Sequence, residues 1–423
     1  CGAAAEVPPR RARSRPGRSR KVKADHYDLC IIGGGISGAC LLRDAAQRGL
    51  RAVLLEKNDF ASGTTQATSR LIHGGLRYLK QGRLGLVRES LRERRILAKI
   101  AAHAVQPARF LLPVSGSSWP LHIGLALYDL LSLDRNRQVP RKNHITSHRR
   151  LKKDSLPGDW NAIFSYYDYA NLNPEWLTVE MILDAERHGA LAMNYAAVEG
   201  LERTEDSYSI RYKMADGERN RLTADIVINA AGPWADLIEG QLAQRPLASL
   251  TRSRGIHIVT RPVGPENAYL ALLQKNGKHF FVLPWRDCSI IGTTDTAYSG
   301  DPDHFGVREE DIADLLETVN ELWPAAELKK SDVLYYYGGM RPLLAGEEGG
   351  STYESSRKSE VLDLADQGFP HFYTVVGGKY TTSRHLAEKA IDLALKKRNW
   401  KKPACQTGAT LLPGALAFRE EWL

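Results

Sequence analysis

Long apolar runs are missing from this chain of 423 residues. No stretch approaches the ~18 residues that a helix needs to cross a bilayer, so no spanning helix is expected. Cysteine is scarce: Cys1, Cys30, Cys40, Cys288 and Cys405 are scattered, with no C-x-x-C pair. No histidines cluster at ligand spacing. That pattern suits a reducing compartment and gives no metal site. No internal repeat is present. Outside one segment, an excess of charge is also missing. The net charge is +9, but residues 1–24 hold eight basic residues against Glu6 alone. The remainder is a nearly neutral globule, and its 43% hydrophobic content is ample for real cores. The tail reads as solvated and disordered, with acidic lipid or nucleic acid as alternative partners. No specific nucleic-acid partner is expected. The Cys-Gly start reads as a processed chain or a fragment, and no signal peptide supports a lipoprotein.

What is present is concentrated between Asp28 and Glu56. The apolar run Leu29–Ile32 ends at Gly33-Gly34-Gly35-Ile36-Ser37-Gly38, a helix-like segment stops at Gly49, and a second apolar run, Ala52–Leu55, ends on Glu56. Strand, G-x-G-x-x-G, helix, strand and acid follow in the order of a dinucleotide site. Gly33 permits the turn, Gly35 admits a pyrophosphate, Gly38 lets helix and strand pack closely, and Glu56 would accept from ribose hydroxyls. Ser37 lies at the helix N-terminus, where an anion is favoured. This stretch alone does not separate FAD from NAD.

Further along, Thr64, Thr65, Ser69, His73 and Gly74 lie in a polar loop suited to phosphate and ribityl oxygens. Residues 84–102 read as a charged helix with one apolar side. Residues 110–133 are strongly apolar, and 135–153 are rich in Arg and Lys. Either they lie on an anionic bilayer, or they are a core helix and a solvated loop. A helix is expected at 176–188, and strands at 207–213 and 222–230 joined through Asp216-Gly217. The second strand ends near Gly232, an edge suited to close ligand approach. Residues 255–295 read as β-rich, and 309–323 as a helix. The strand Phe372–Val376 leads through Gly377-Gly378-Lys379 into a final helix, a second place where a helix N-terminus can meet a cofactor.

In order and spacing, IIGGGISGACLLRDAAQRG, TSRLIHGGLRYL, VINAAGPWAD, IIGTTD, GGMRPL and GGKYTTSRHLA resemble the FAD-dependent glycerol-3-phosphate dehydrogenases, within the D-amino-acid-oxidase-like flavoproteins. The likeness covers roughly residues 27–400. Ser383 stands where the family normally has Tyr, and Cys40 where it has Gly. The family usually continues past Leu412-Pro413-Gly414 into a helical domain, whereas this chain ends at Leu423. The resemblance implies an α/β fold: a Rossmann-like FAD-binding domain built from discontinuous segments (25–85, 175–250 and 340–400), plus a mixed β-sheet substrate domain (86–174 and 251–339). Residues 401–423 would be a truncated linker.

The resemblance also implies FAD, glycerol 3-phosphate as substrate, a quinone acceptor and a cytoplasmic protein peripheral on the inner membrane face. A homodimer is left open. Substrate contacts fall on Arg77, Tyr78, Arg341, Lys379 and Thr294, because a phosphate needs fixed cations. Cofactor contacts add Gly378, Thr381 and Thr382 to the residues above, with Lys379 serving both groups. The catalytic set is His257, Arg341 and Lys379, with His257 as base because histidine titrates near working pH. A satisfied strand histidine is the alternative. A helix over 382–397 would point its positive end at the flavin. Two rivals remain: a flavin enzyme of amino or 2-hydroxy acids, and a non-catalytic truncated flavoprotein.

Overall fold

Five strands running parallel form the centre of the first sheet: Phe372–Val376, Arg219–Asn229, Asp25–Ile32, Ala52–Leu55 and Leu191–Met193, in that spatial order. The computed structural model describes residues 25–80, 82–132, 149–151, 156, 158–247, 250–273, 279–344 and 360–420. The tail 1–24 and most of the basic stretch 135–153 therefore lie outside the described residues.

Alternation along each strand explains why this sheet is buried on both faces. Leu29 and Ile31 face one core, with Ala52, Leu54, Ile226 and Ile228. Cys30 and Ile32 face the other, with Val53, Leu55, Val227 and Phe372. The first core is closed by three helices, Ile36–Gln47, Pro174–Arg187 and Ser383–Arg398, which contribute Leu41, Met181 and Ile391 among others. The opposite face is covered by the antiparallel pair Ala196–Arg203 and Tyr208–Met214. Cys30 and Cys40 are core residues, as expected; Cys40 Sγ lies 3.5 Å from Met181 Sδ, between two of the helices.

The second sheet has ten strands and is almost wholly antiparallel. Its long members are Val105–Val114, Ala162–Asn171, Leu250–Thr260 and Val333–Leu344. The helix Glu309–Leu322 packs one side through Ile312, Leu315 and Val319, and Trp119–Ser132 packs another region through Leu125 and Tyr128.

The sheets divide the chain differently from the sequence boundaries in three places. Leu71–Ile72 pairs with Tyr169 and Ala170, so it belongs to the second sheet. Residues 340–344 remain paired there too, opposite Leu250–Arg254. Residues 407–415, within the expected linker, pack against the first domain. Arg43 donates to Thr407 O and Thr410 O at 3.0 Å each, and Leu412 is fully buried.

Candidate functional site

The parallel strands end side by side, with Ile32 level with Leu55 and Asn229. Ligands of doubly wound sheets bind outside such ends, where neighbouring connections leave in opposite directions. A cavity of ≈ 400 Å³ opens there, lined by Gly33, Gly35, Ser37, Glu56, Thr64, Thr65, Thr68, Gly232, Trp234, Pro342, Gly378 and Lys379, among others.

Backbone geometry builds most of this wall. Gly33 has φ +110°, and a Cβ there would stand 2.5 Å from Ala230 O. A Cβ on Gly38 would overlap Gly33 O, so Gly38 serves the packing of helix on strand. Gly35 caps the helix Ile36–Gln47 without a side-chain hydrogen bond, and no acid occupies the first turn. That helix end keeps its positive partial charge for a bound anion. Glu56 accepts from Gly34 N at 2.6 Å and Asn58 N at 2.8 Å, which fixes its carboxylate at the rim. Thr65 Oγ1 accepts from Ile36 N at 3.0 Å and folds the polar loop back over the helix end.

A second helix end meets the same cavity. Gly377 and Gly378 have φ of +70° and +91°, a pair that only glycine adopts readily. The chain then makes a 3₁₀ turn, Tyr380–Thr382, and enters Ser383–Arg398, again with no acid in the first turn and three cations in the last. Two helix N-termini, glycine walls and a fixed acid fit a dinucleotide with its diphosphate.

Several expected cofactor residues do not line the cavity. His73 N donates to Thr381 Oγ1 at 3.3 Å, and Gly74 N donates to the Tyr128 hydroxyl at 2.9 Å. Thr381 and Thr382 are buried, and Thr382 hydrogen-bonds the Lys379 backbone. Ser69 pairs with His257 Nε2 at 2.9 Å. Thr382 and Thr381 brace the turn that carries Lys379.

Two cations belong to this region, Lys379 in the cavity wall and Arg341 on the strand that carries the lining residue Pro342. Lys379 Nζ donates to Ser90 Oγ at 3.0 Å and lies 4.0 Å from the centroid of the Tyr78 ring, itself 3% exposed. Arg341, next to the lining residue Pro342, donates to Thr293 Oγ1 at 2.7 Å and to Thr294 O at 3.3 Å. Thr294 thus contributes its carbonyl, while its hydroxyl accepts from Ile256 N at 3.0 Å. The side chain of Arg77 lies outside the described residues.

His257 is 1% exposed and is not among the lining residues. Its ring stacks 4.8 Å from that of Tyr337, and Nδ1 has no hydrogen-bond partner. Burial, then the charges of Arg341 and Arg70, push its pKa down to about 3. The expectation of a histidine titrating near neutral pH is corrected: this ring is neutral at pH 7. The isoleucines at 256 and 258 were the sequence signal for that burial.

Sequence reasoning missed Thr293, the partner of Arg341, although it lies in IIGTTD. It also missed a bridge at the rim: Asp303, on the 3₁₀ turn Pro302–His304, accepts from Trp234 Nε1 at 2.7 Å and pairs with Lys57. Lys57 lies 4.4 Å over the Trp234 ring. All three line the cavity.

Comparison with known proteins agrees with this geometry. Residues 28–388 match the family described as FAD dependent oxidoreductase. A glycerol-3-phosphate dehydrogenase of Synechocystis is 37% identical over 417 residues, covering 93% of this chain and 74% of that protein. An aerobic glycerol-3-phosphate dehydrogenase of Staphylococcus aureus is 32% identical, covering 89% and 68%. The solved glycerol-3-phosphate dehydrogenase of Bacillus halodurans, complexed with FAD, superposes with a TM-score of 0.69 at 26% identity, covering 94% of this chain and 70% of that one. A motif-bearing cavity with two open helix ends and a match across nearly the whole chain place this protein in the FAD-dependent oxidoreductase family, among the glycerol-3-phosphate dehydrogenases.

Proposed function

We propose that the protein oxidises sn-glycerol 3-phosphate to dihydroxyacetone phosphate and passes the electrons to a quinone. The observation that carries this reading is the pairing of a dinucleotide cavity with two cations, Arg341 and Lys379, from different domains. A carboxylate substrate needs one bidentate arginine, whereas a phosphate carrying close to two charges is better matched by two cations. The names of the relatives support the same substrate.

FAD, when bound, supplies the acceptor for the C2 hydride. The glycine walls, Glu56 and the two helix ends hold it. Arg341, steadied by Thr293 and Thr294, and Lys379, seated on Tyr78, take the substrate phosphate and so orient the carbinol. His257 is the proposed base for the hydroxyl proton, acting from its neutral form. Its proton affinity is low partly because Arg341 is near. A phosphate dianion on Arg341 offsets that charge and raises the affinity when substrate is present. His257→Gln is expected to lower kcat about 100-fold or more while KM changes little.

Attachment to a membrane surface belongs to the same proposal. The helix Trp119–Ser132 leaves Trp119, Ile123 and Leu130 exposed. No helix among the described residues is long and apolar enough to cross a bilayer. Exposed apolar residues followed in sequence by a basic stretch suit an anionic surface and a lipid-soluble acceptor.

An anaerobic bleaching screen tests the substrate. The flavin-loaded protein is mixed with glycerol 3-phosphate, glycerol, lactate, 2-hydroxyglutarate or D-amino acids. Rapid bleaching by glycerol 3-phosphate alone is expected; bleaching by an amino or hydroxy acid in its place would move the enzyme to another substrate class.

A further inference from the structure

The helix Leu84–Ile100 carries three polar side chains that no step above uses. Ser90, Glu93 and Arg94 stand at spacing i, i+3 and i+4, which puts them on one face, and each is 0% exposed. Each reaches a different piece of the site's frame. Ser90 Oγ accepts from Lys379 Nζ at 3.0 Å and donates its own hydrogen to Leu86 O at 2.8 Å. Glu93 accepts two bonds from Arg384, at 2.7 and 2.8 Å, in the first turn of the helix that follows Lys379. Arg94 donates to Asp168 at 2.7 Å, and the other oxygen of Asp168 accepts from the Tyr128 hydroxyl at 2.7 Å. That hydroxyl in turn accepts the N–H of Gly74.

The two ends of this arrangement converge. Gly74 adjoins Gly75, and a Cβ on Gly75 would stand 2.9 Å from Lys379 Nζ. The ammonium thus lies against the His73–Gly75 turn, held through Arg94, while its own backbone leads into the helix held through Glu93. A helix selected for stability alone would gain as much from apolar residues at these positions, because buried ion pairs are often replaced by them at no loss. Buried polar groups in near succession, each linked directly or through a relay to a turn beside the same cation, suit a demand for position. Lysine needs such help. Its flexible four-carbon stem can place the charge in many spots.

We infer that Ser90 is a positioning residue for Lys379, and that Glu93 and Arg94 hold the two turns between which the ammonium is seated. The inference rests on the reading of Lys379 as a phosphate ligand. Because the Ser90 hydrogen is committed to Leu86 O, only lone pairs face the amine. They accept from the amine and aim it before substrate arrives.

The test is a double-mutant cycle on the full chain loaded with FAD, using Ser90→Ala, Lys379→Ala and the pair, with glycerol 3-phosphate and glycerol as substrates. Bound FAD and melting temperature are recorded for every variant. Ser90→Ala is expected to raise KM for glycerol 3-phosphate roughly tenfold, to leave kcat and the kinetics with glycerol near wild type, and to add nothing once Lys379 is gone. Ser90→Thr, which keeps the hydroxyl, is expected to recover most of the loss. Independent, multiplying effects of the two substitutions would overturn the inference, as would equal losses with both substrates or a loss that tracks FAD content. If Lys379→Ala alone spares the preference for the phosphorylated substrate, the reading of Lys379 falls and the role of Ser90 falls with it.

Discussion

The two halves of the site are built by different means. The cofactor wall is mostly backbone: glycines in left-handed or crowded positions and two helix ends with no acid in the first turn. The substrate side is mostly side chain: Arg341 on one strand, Thr293 after another, and Lys379 against a helix from a third region. Each turn of the backbone wall is a short local motif, such as the glycines from 33 to 38 or Gly377-Gly378. A side-chain cluster assembled from residues up to 289 apart in sequence depends on buried partners far from the cavity. Damage to those partners should therefore fall on the substrate side first.

The largest expected effect lies in the buried relay of Arg94, Asp168 and Tyr128. Arg94→Met would leave Asp168 without its cation at 2% exposure, a loss on the order of 3–5 kcal/mol of stability. Calorimetry should show it as a lowered melting temperature. A change near zero would mean that Asp168, whose proton affinity is already raised by burial, takes up a proton and abandons its charge.

A smaller effect is expected from acid. His257 has a pKa of about 3 in the folded protein against about 6.5 when unfolded. Between those values the unfolded chain binds more protons, so stability is fully present above pH 6.5 and is lost as pH falls toward 3. Removing the titration with His257→Gln should flatten the pH dependence by on the order of 5 kcal/mol across that window, about half of it between pH 7 and pH 4.5. Denaturant melts at pH 7 and pH 4.5 would measure it. Parallel curves for the two proteins would show that the ring is not buried as described.

The smallest effect belongs to the rim. Lys57 and Asp303 are partly exposed, and a pair of that kind contributes about 0–1 kcal/mol. Asp303→Asn should leave the melting temperature nearly unchanged, so any change in FAD retention would come from the rim itself. A large loss of stability would instead make this bridge a structural joint between the sheets.

The same contrast explains what could be read from the sequence. The cofactor half was legible because strand, glycine turn, helix and acid are neighbours in the chain; Gly33, Gly35, Ser37, Glu56, Thr64, Thr65, Gly232 and Gly378 all reach the cavity. Arg341 and Lys379 came from motif resemblance, and the structure sets Lys379 in the wall and Arg341 beside it. Burial showed only in part: the isoleucines beside His257 pointed to it, but the distant partners that close the ring in did not. His257 is closed in by Gly292 and Tyr337, which pair with it from strands 35 and 80 residues away. Ser69, His73 and Gly74 lie outside the lining and hydrogen-bond to His257, Thr381 and Tyr128, partners that no local pattern announced. Arg94, on a helix, and Asp168, on a strand, carried no local signal, since a charge in either element is usually solvated.

The central claim is that two cations from different domains read a phosphate beside the cofactor. The most direct measurement is the ratio of kcat/KM for glycerol 3-phosphate to that for glycerol in Arg341→Ala, with bound FAD verified. Loss of a charge-assisted hydrogen bond, about 1.5–3 kcal/mol, should shrink that ratio roughly 10- to 150-fold, with the glycerol value nearly unchanged. An unchanged ratio, with both substrates losing activity in proportion, would contradict the claim and make Arg341 a support for the strand that carries it.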